Sequence, residues 1–171
     1  MNLRSRDTNI LSRNTPRAGE VFSSPIHFLA FGFGSGLAPK APGTFGTLAA
    51  IPFYYLIMDW SAPIYLGFLL LTFVLGVYLC DRSAKVLGVH DHPGIVWDEM
   101  VGYWIVMFAA PVGWPWALLG FVLFRFFDIV KPWPIGWIDE KVSGGFGIML
   151  DDVLAALFAW GLLQVAAWFW L

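Results

Sequence analysis

Apolar residues in this chain come in long blocks rather than in alternation. Uncharged stretches run over residues 44–58, 62–80, 100–124 and 153–171. Every charged residue except Asp59 falls in one of three windows, 1–40, 81–99 and 125–152. Apolar blocks of this length predict helices that are buried or span a membrane. The last block has 19 residues, which as a helix would extend about 28 Å. That is close to a hydrocarbon core of about 30 Å.

The first two blocks meet at a short turn around Trp60, a residue type suited to a membrane interface, and they predict a helical hairpin. Block 100–124 can be one long span or a hairpin turning at "PVGWPW", residues 111–116. Two prolines, Gly113 and two tryptophans favour the turn, with helices near 96–110 and 115–130. The expected fold is an all-α, polytopic membrane bundle of five spans, or four if 100–124 is continuous. All three charged windows then share one face. The Arg-rich N-terminus makes that face cytoplasmic and puts the C-terminus outside.

Composition supports this reading. Of the 171 residues, 58% are hydrophobic and 13% charged, and the mean hydropathy is +0.70. The net charge of −2 argues against nucleic-acid binding. Cys80 is the single cysteine, so no intrachain disulfide or cysteine-based zinc site can form, and it reads as a packed side chain. Residues 1–22, with Arg4, Arg6, Arg13 and Arg17, read as a partly disordered cytoplasmic tail and 23–171 as one membrane-embedded domain. The apolar run after the tail is broken by glycines and has no cleavage pattern of a secretory signal.

Three stretches carry candidate chemistry. "GFGSGLAPKAPGTFGT", residues 32–47, holds five glycines, Lys40, Thr44 and Thr47. Glycines let backbone N–H groups turn toward an anion, and Thr44 is placed to cap the next helix. The spacing is not that of a Walker loop. A glycine-rich turn that only lets helices pack is the competing reading. "HDHPGIVWDEM", residues 90–100, brings His90, Asp91 and His92 before the adjacent acids Asp98 and Glu99. Neighbouring carboxylates repel unless a cation compensates, and oxygen ligands suit magnesium. In 125–152, Arg125, Asp128 and Lys131 follow i, i+3, i+6 on one helical face. Pro132 and Pro134 end that helix. Asp139, Glu140 and Lys141 read as solvated loop charges. Gly144, Gly145 and Gly147 read as a flexible approach to a second acidic pair, Asp151 and Asp152, at the mouth of the last apolar block.

Acids that can hold a metal, with bases and glycine loops that can hold an anion, suit phosphoryl transfer or phosphate-ester hydrolysis. Other phosphatase patterns are missing. Cys80 lacks an arginine six positions on, and no Asp-x-Asp-x-Thr motif exists. Neither the histidine-based lipid phosphatase pattern nor that of CDP-alcohol transferases is present. A small ion-coupled transporter is the alternative, since broken helices and acids at span edges also serve transport.

The segments "GSGLAPKAPGTFGT", "HDHPGIVWDEMVG", "FRFFDIVKPWPIGW" and "GGFGIMLDDVLA" together closely resemble the bacterial phosphatidylglycerophosphatase A family over residues 25–160. The resemblance implies a magnesium-dependent, multi-pass inner-membrane enzyme. Its substrate would be the lipid phosphatidylglycerophosphate, converted to phosphatidylglycerol and inorganic phosphate upstream of cardiolipin. Residue roles are inferred from chemistry. Asp98, Glu99, Asp128, Asp151 and Asp152 are the candidate metal ligands or bases. Lys40, Thr44, Arg125 and Lys131 are the candidate phosphate holders. His90 and His92 are candidates to protonate the leaving glycerol oxygen, although His92 has an equal structural reading. His27 reads as interfacial. Either water or an aspartate is the nucleophile. The Trp-rich end "QVAAWFWL" reads as an interfacial anchor or an oligomer contact.

Overall fold

The computed structural model describes residues 16–89 and 92–170. His90, a candidate proton donor, lies outside the described residues. Among the described residues the secondary structure is helical throughout, with no strand. Two short helices, α1 (Ala18–Ser23) and α2 (Pro25–Ala30), precede a 3-10 segment, Gly32–Leu37. Helix α1 falls in the stretch read from sequence as tail, and its Val21 is fully buried. Then come α3 (Pro42–Ile57), α4 (Ala62–Leu87), α5 (Trp97–Val106), α6 (Trp114–Val130), α7 (Ile135–Lys141) and α8 (Gly144–Trp170).

Local sequence explains the boundaries. Pro42 opens α3, where its missing N–H costs no helical bond. Gly88 closes α4 in the left-handed region at φ 67°. Helix α5 ends before the turn that contains Pro111 and Gly113, and α6 starts directly after Gly113. Block 100–124 therefore turns, as the prolines predicted. Its first arm differs from expectation. Helix α5 has 10 residues, about 15 Å, half of a bilayer core. It is the central helix, packed against α3, α4, α6 and α8. Met100, Val101, Tyr103 and Val106 are fully buried in it. A helix enclosed by four others is shielded from lipid and needs no spanning length.

Two helices, α4 and α8, are long and apolar enough to cross a membrane. Helix α4 turns Leu66, Leu70, Leu71 and Val74 outward, each at least 50% exposed. Only 28% of its most apolar window is buried inside the protein, unlike a core helix of a water-soluble protein. On α8, Leu157, Phe158, Leu162 and Val165 also face out. Apolar surface of this extent suits a membrane or a partner protein.

Helix α8 begins nine residues before the last apolar block, at Gly144. The glycines before the acidic pair are therefore helical, which corrects the flexible-approach reading. A Cβ on Gly145 would strike the Val77 carbonyl and the Asp81 backbone of α4. Glycine here lets α8 seat against α4. Asp151 and Asp152 consequently lie inside the helix, both buried.

The two ends of the bundle differ. At one end α5 and its turn are tied to neighbours by neutral donors. The Tyr65 hydroxyl donates to the Trp104 carbonyl at 2.8 Å, and the Trp104 indole N–H donates to the Ala50 carbonyl at 3.0 Å. Trp160 and Gln164 of α8 both donate to the Phe108 carbonyl, at 2.9 and 3.2 Å. The other end holds the charged residues.

Candidate active site

Three helices deliver the charged side chains. The first turn of α5 supplies Asp98 and Glu99. The second half of α6 supplies Arg125 and Asp128, and Lys131 follows as its C-cap. Helix α8 supplies Asp151 and Asp152. The N-terminus of α3 closes against this group through Gly43. An added Cβ there would overlap Glu99 Oε1 and come within 3.0 and 3.1 Å of the Arg125 terminal nitrogens. Only glycine allows the helix this near the ion pair.

Asp98, Glu99 and Asp152 each offer one carboxylate oxygen, and these oxygens all lie within 4.8 Å of one another. Glu99 Oε2 and Asp152 Oδ2 are buried with no hydrogen-bond partner. Asp128 acts electrostatically on both Glu99 and Asp152. Buried carboxylate oxygens without donors are costly. Three carboxylate oxygens this close together are a group that could hold a divalent cation.

Cations flank this group on one side. Arg125 pairs with Asp128 one turn on and reaches Glu99 at 3.7 Å. Lys131 Nζ donates to Asp151 at 2.6 Å and meets Asp139 of α7 at 3.0 Å. Burial alone would lower the Lys131 pKa, but the bonds to Asp151 and Asp139 outweigh it and hold the ammonium above its ordinary value. Within the i, i+3, i+6 row Arg125 and Asp128 pair with each other, whereas Lys131 leaves the row for Asp151 and Asp139. Lys131 sits in the left-handed region at φ 44° and its side chain crosses to α8. Asp139 is helical and paired with Lys131, although its side chain remains 45% exposed; the partner, brought from outside its own helix, hid it.

The remaining candidates stand apart. Lys40 is exposed on the segment before α3, and Thr44 is half-buried in the first turn of α3. Thr44 does not cap that helix. The cap is Ala41, in the left-handed region with no side-chain bond, because Pro42 brings the helix start forward. His92 is buried and packs on Phe31 at 5.6 Å between ring centroids. Its Nδ1 accepts the Gly94 N–H at 3.0 Å, which leaves the ring proton on Nε2. It makes no hydrogen bond to the carboxylate group. His27 is buried within the bundle and shares a 2.7 Å hydrogen bond with Ser83. Cys80 is fully buried, as expected of a packed side chain.

These features define a class: a small, all-helical protein with long apolar helices and a buried acidic cluster, flanked by basic side chains, at one end. Residues 28–167 match the family model of phosphatidylglycerophosphatase A. Phosphatidylglycerophosphatase A of Escherichia coli K12 is 50% identical over 149 residues, 86% of this chain and 87% of the relative. The protein of the same name from Haemophilus influenzae is 50% identical over 151 residues, 87% of this chain and 93% of the relative. A putative phosphatidylinositol-3-phosphatase of Bacteroides thetaiotaomicron is 40% identical over 148 residues, 80% of this chain and 90% of the relative. No solved structure matches the chain. The chain belongs to the phosphatidylglycerophosphatase A family.

Proposed function

We propose that this protein is a magnesium-dependent phosphatase of the bacterial inner membrane. It removes the terminal phosphate of phosphatidylglycerophosphate to give phosphatidylglycerol. Family membership and the two relatives at 50% identity support the reaction. The observation that carries the mechanism is the carboxylate group from α5 and α8 beside Arg125 and Lys131. The third relative carries the name of a phosphatase for another phosphorylated lipid. A phosphomonoester on a lipid headgroup is the chemistry common to both names.

Asp98, Glu99 and Asp152 would hold magnesium, with Asp128 and Asp151 adding negative charge around them. Bound there, magnesium would supply Lewis-acid stabilisation of charge on the phosphate. Arg125 and Lys131 face a phosphate that carries two charges, and donate hydrogen bonds that strengthen as charge builds. Thr44 lies next to Gly43, which abuts Glu99 and Arg125, and Lys40 is exposed on the segment before α3; neither is needed for these anion contacts. In one route water bonds to phosphorus as the bond to the glycerol oxygen breaks, with its proton ending on that leaving oxygen. In the other an aspartate does so, the glycerol oxygen takes a proton from solvent, and water then cleaves the aspartyl phosphate. Both routes give phosphatidylglycerol and inorganic phosphate. The five apolar segments α3, α4, α5, α6 and α8 alternate in direction, which supports a multi-pass arrangement with the site at one face, and the Arg-rich N-terminus favours the cytoplasmic side for it. The acyl chains stay in the bilayer against the outward apolar faces.

Phosphate release from phosphatidylglycerophosphate by purified protein in detergent tests the reading. Release with magnesium, abolished by EDTA and restored by added magnesium, is expected. Release that persists in EDTA would overturn the metal mechanism. Absence of release under all conditions would overturn the reaction.

A further inference from the structure

Lys131 is held more tightly than a phosphate ligand requires. Its ammonium bridges two carboxylates on different helices, Asp151 of α8 and Asp139 of α7. Its backbone sits in the left-handed region at φ 44° and ψ 56°, a conformation that costs a side-chain-bearing residue about 1–2 kcal/mol. Such a conformation persists where surrounding contacts over-determine it. Helix α7 provides those contacts. A Cβ on Gly136 would lie 2.9 Å from the Lys131 carbonyl oxygen, so the start of α7 tucks against the Lys131 backbone. Asp139 stands three residues on, on the same face of the helix, and takes the Lys131 side chain. Ile135, fully buried, fixes α7 in place. The two partners of Lys131 are unlike. The Asp151 side chain is 7% exposed and the Asp139 side chain 45%.

We propose that Asp139 is a positioning residue that holds the Lys131 ammonium beside Asp151, so that an arriving phosphate meets a cation already in place. Asp139 itself touches no substrate. The inference rests on the phosphatase reading given above.

The test compares Asp139→Asn and Asp139→Glu in the wild-type and Lys131→Met backgrounds. The first readout is steady-state hydrolysis of phosphatidylglycerophosphate in mixed micelles. The second is equilibrium binding of radiolabelled inorganic phosphate to the magnesium-loaded protein, which needs no turnover. Asp139→Asn is expected to raise KM and weaken phosphate binding by about three- to fivefold, the range of a partly exposed ion pair. The kcat should change much less, and Asp139→Glu should restore KM. In the Lys131→Met background, Asp139→Asn should change phosphate binding no further. An unchanged KM and phosphate affinity in Asp139→Asn would overturn the inference. So would an effect that survives undiminished without Lys131, since that marks a purely structural role of α7. Wild-type protein that does not hydrolyse the lipid would instead refute the phosphatase reading.

Discussion

The two ends of the bundle handle buried polar groups in opposite ways. At the end near Trp60, carbonyls around the C-terminus of α5 are met by neutral donors. Trp104, Phe108 and Ala109 carbonyls receive Tyr65, Trp160 and Gln164. Those are carbonyls a helix end leaves without intrahelical partners. At the other end, carboxylate oxygens of Glu99 and Asp152 are buried and unmatched. One end is satisfied by its own side chains and serves stability. The other leaves carboxylate oxygens without partners, the group proposed above to hold a cation. Unmatched groups confined to one end of an otherwise satisfied bundle are the signature of a functional site.

Substitutions should separate the ends. The largest effect is expected for Asp152→Asn. Phosphate release should fall by about 10²–10³-fold or more, the scale of losing one charge-stabilising group. In EDTA the same variant should melt at a temperature equal to or above wild type, because one of three crowded carboxylates is gone. A variant that loses activity and also melts early would make the acids structural and erase the contrast.

Gly43→Ala comes next. Its new Cβ would displace Glu99 and Arg125, and a shift near 1 Å at a reacting centre costs about 10²-fold in rate. Phosphate release should drop on that scale while the thermal melt moves little. Normal activity would show that the ion pair tolerates displacement.

At the opposite end, Tyr65→Phe should act on stability alone. Losing its hydrogen bond to Trp104 costs about 1 kcal/mol, read as a lower melting temperature with kcat retained. A loss of kcat without a change in melting would contradict the division between ends.

The smallest effect concerns pH. Burial pushes the His92 imidazole below its ordinary value of 6.5. The folded protein therefore favours neutral His92. Its stabilising contribution is complete above the unfolded value and is lost as pH falls through the folded one. Melts of wild type and His92→Gln between pH 7.5 and 5 should show a shallower decline in the variant. Parallel curves would remove His92 from the account.

The sequence made much of this arrangement readable, for physical reasons. Tryptophan, proline and glycine marked the turns at Trp60 and Pro111–Trp116, and charge, excluded from hydrocarbon, marked the opposite ends of the helices. The same exclusion predicted that Glu99, Arg125 and Asp152 would meet at one end. Helix length was less legible. An uncharged run reports the apolar face offered to lipid, whereas helices α4, α5 and α8 continue into the charged windows. That is why Asp151 and Asp152 lie within α8 rather than before it. Glycine was ambiguous because freedom and close packing use the same residue. Gly145 and Gly43 serve contact, which depends on what stands opposite. Asp139 was hidden for a similar reason: its partner, Lys131, comes from another helix.

The central claim is that Asp98, Glu99 and Asp152 form one divalent-cation site. Manganese serves as a magnetic stand-in for magnesium, and its free concentration is read by electron paramagnetic resonance. Titration of manganese into wild-type protein and Asp152→Asn in the same detergent tests the claim directly. Wild type should remove manganese from solution saturably and in competition with magnesium, and the variant should remove far less. Equal uptake by both proteins, or none by wild type, would contradict the account.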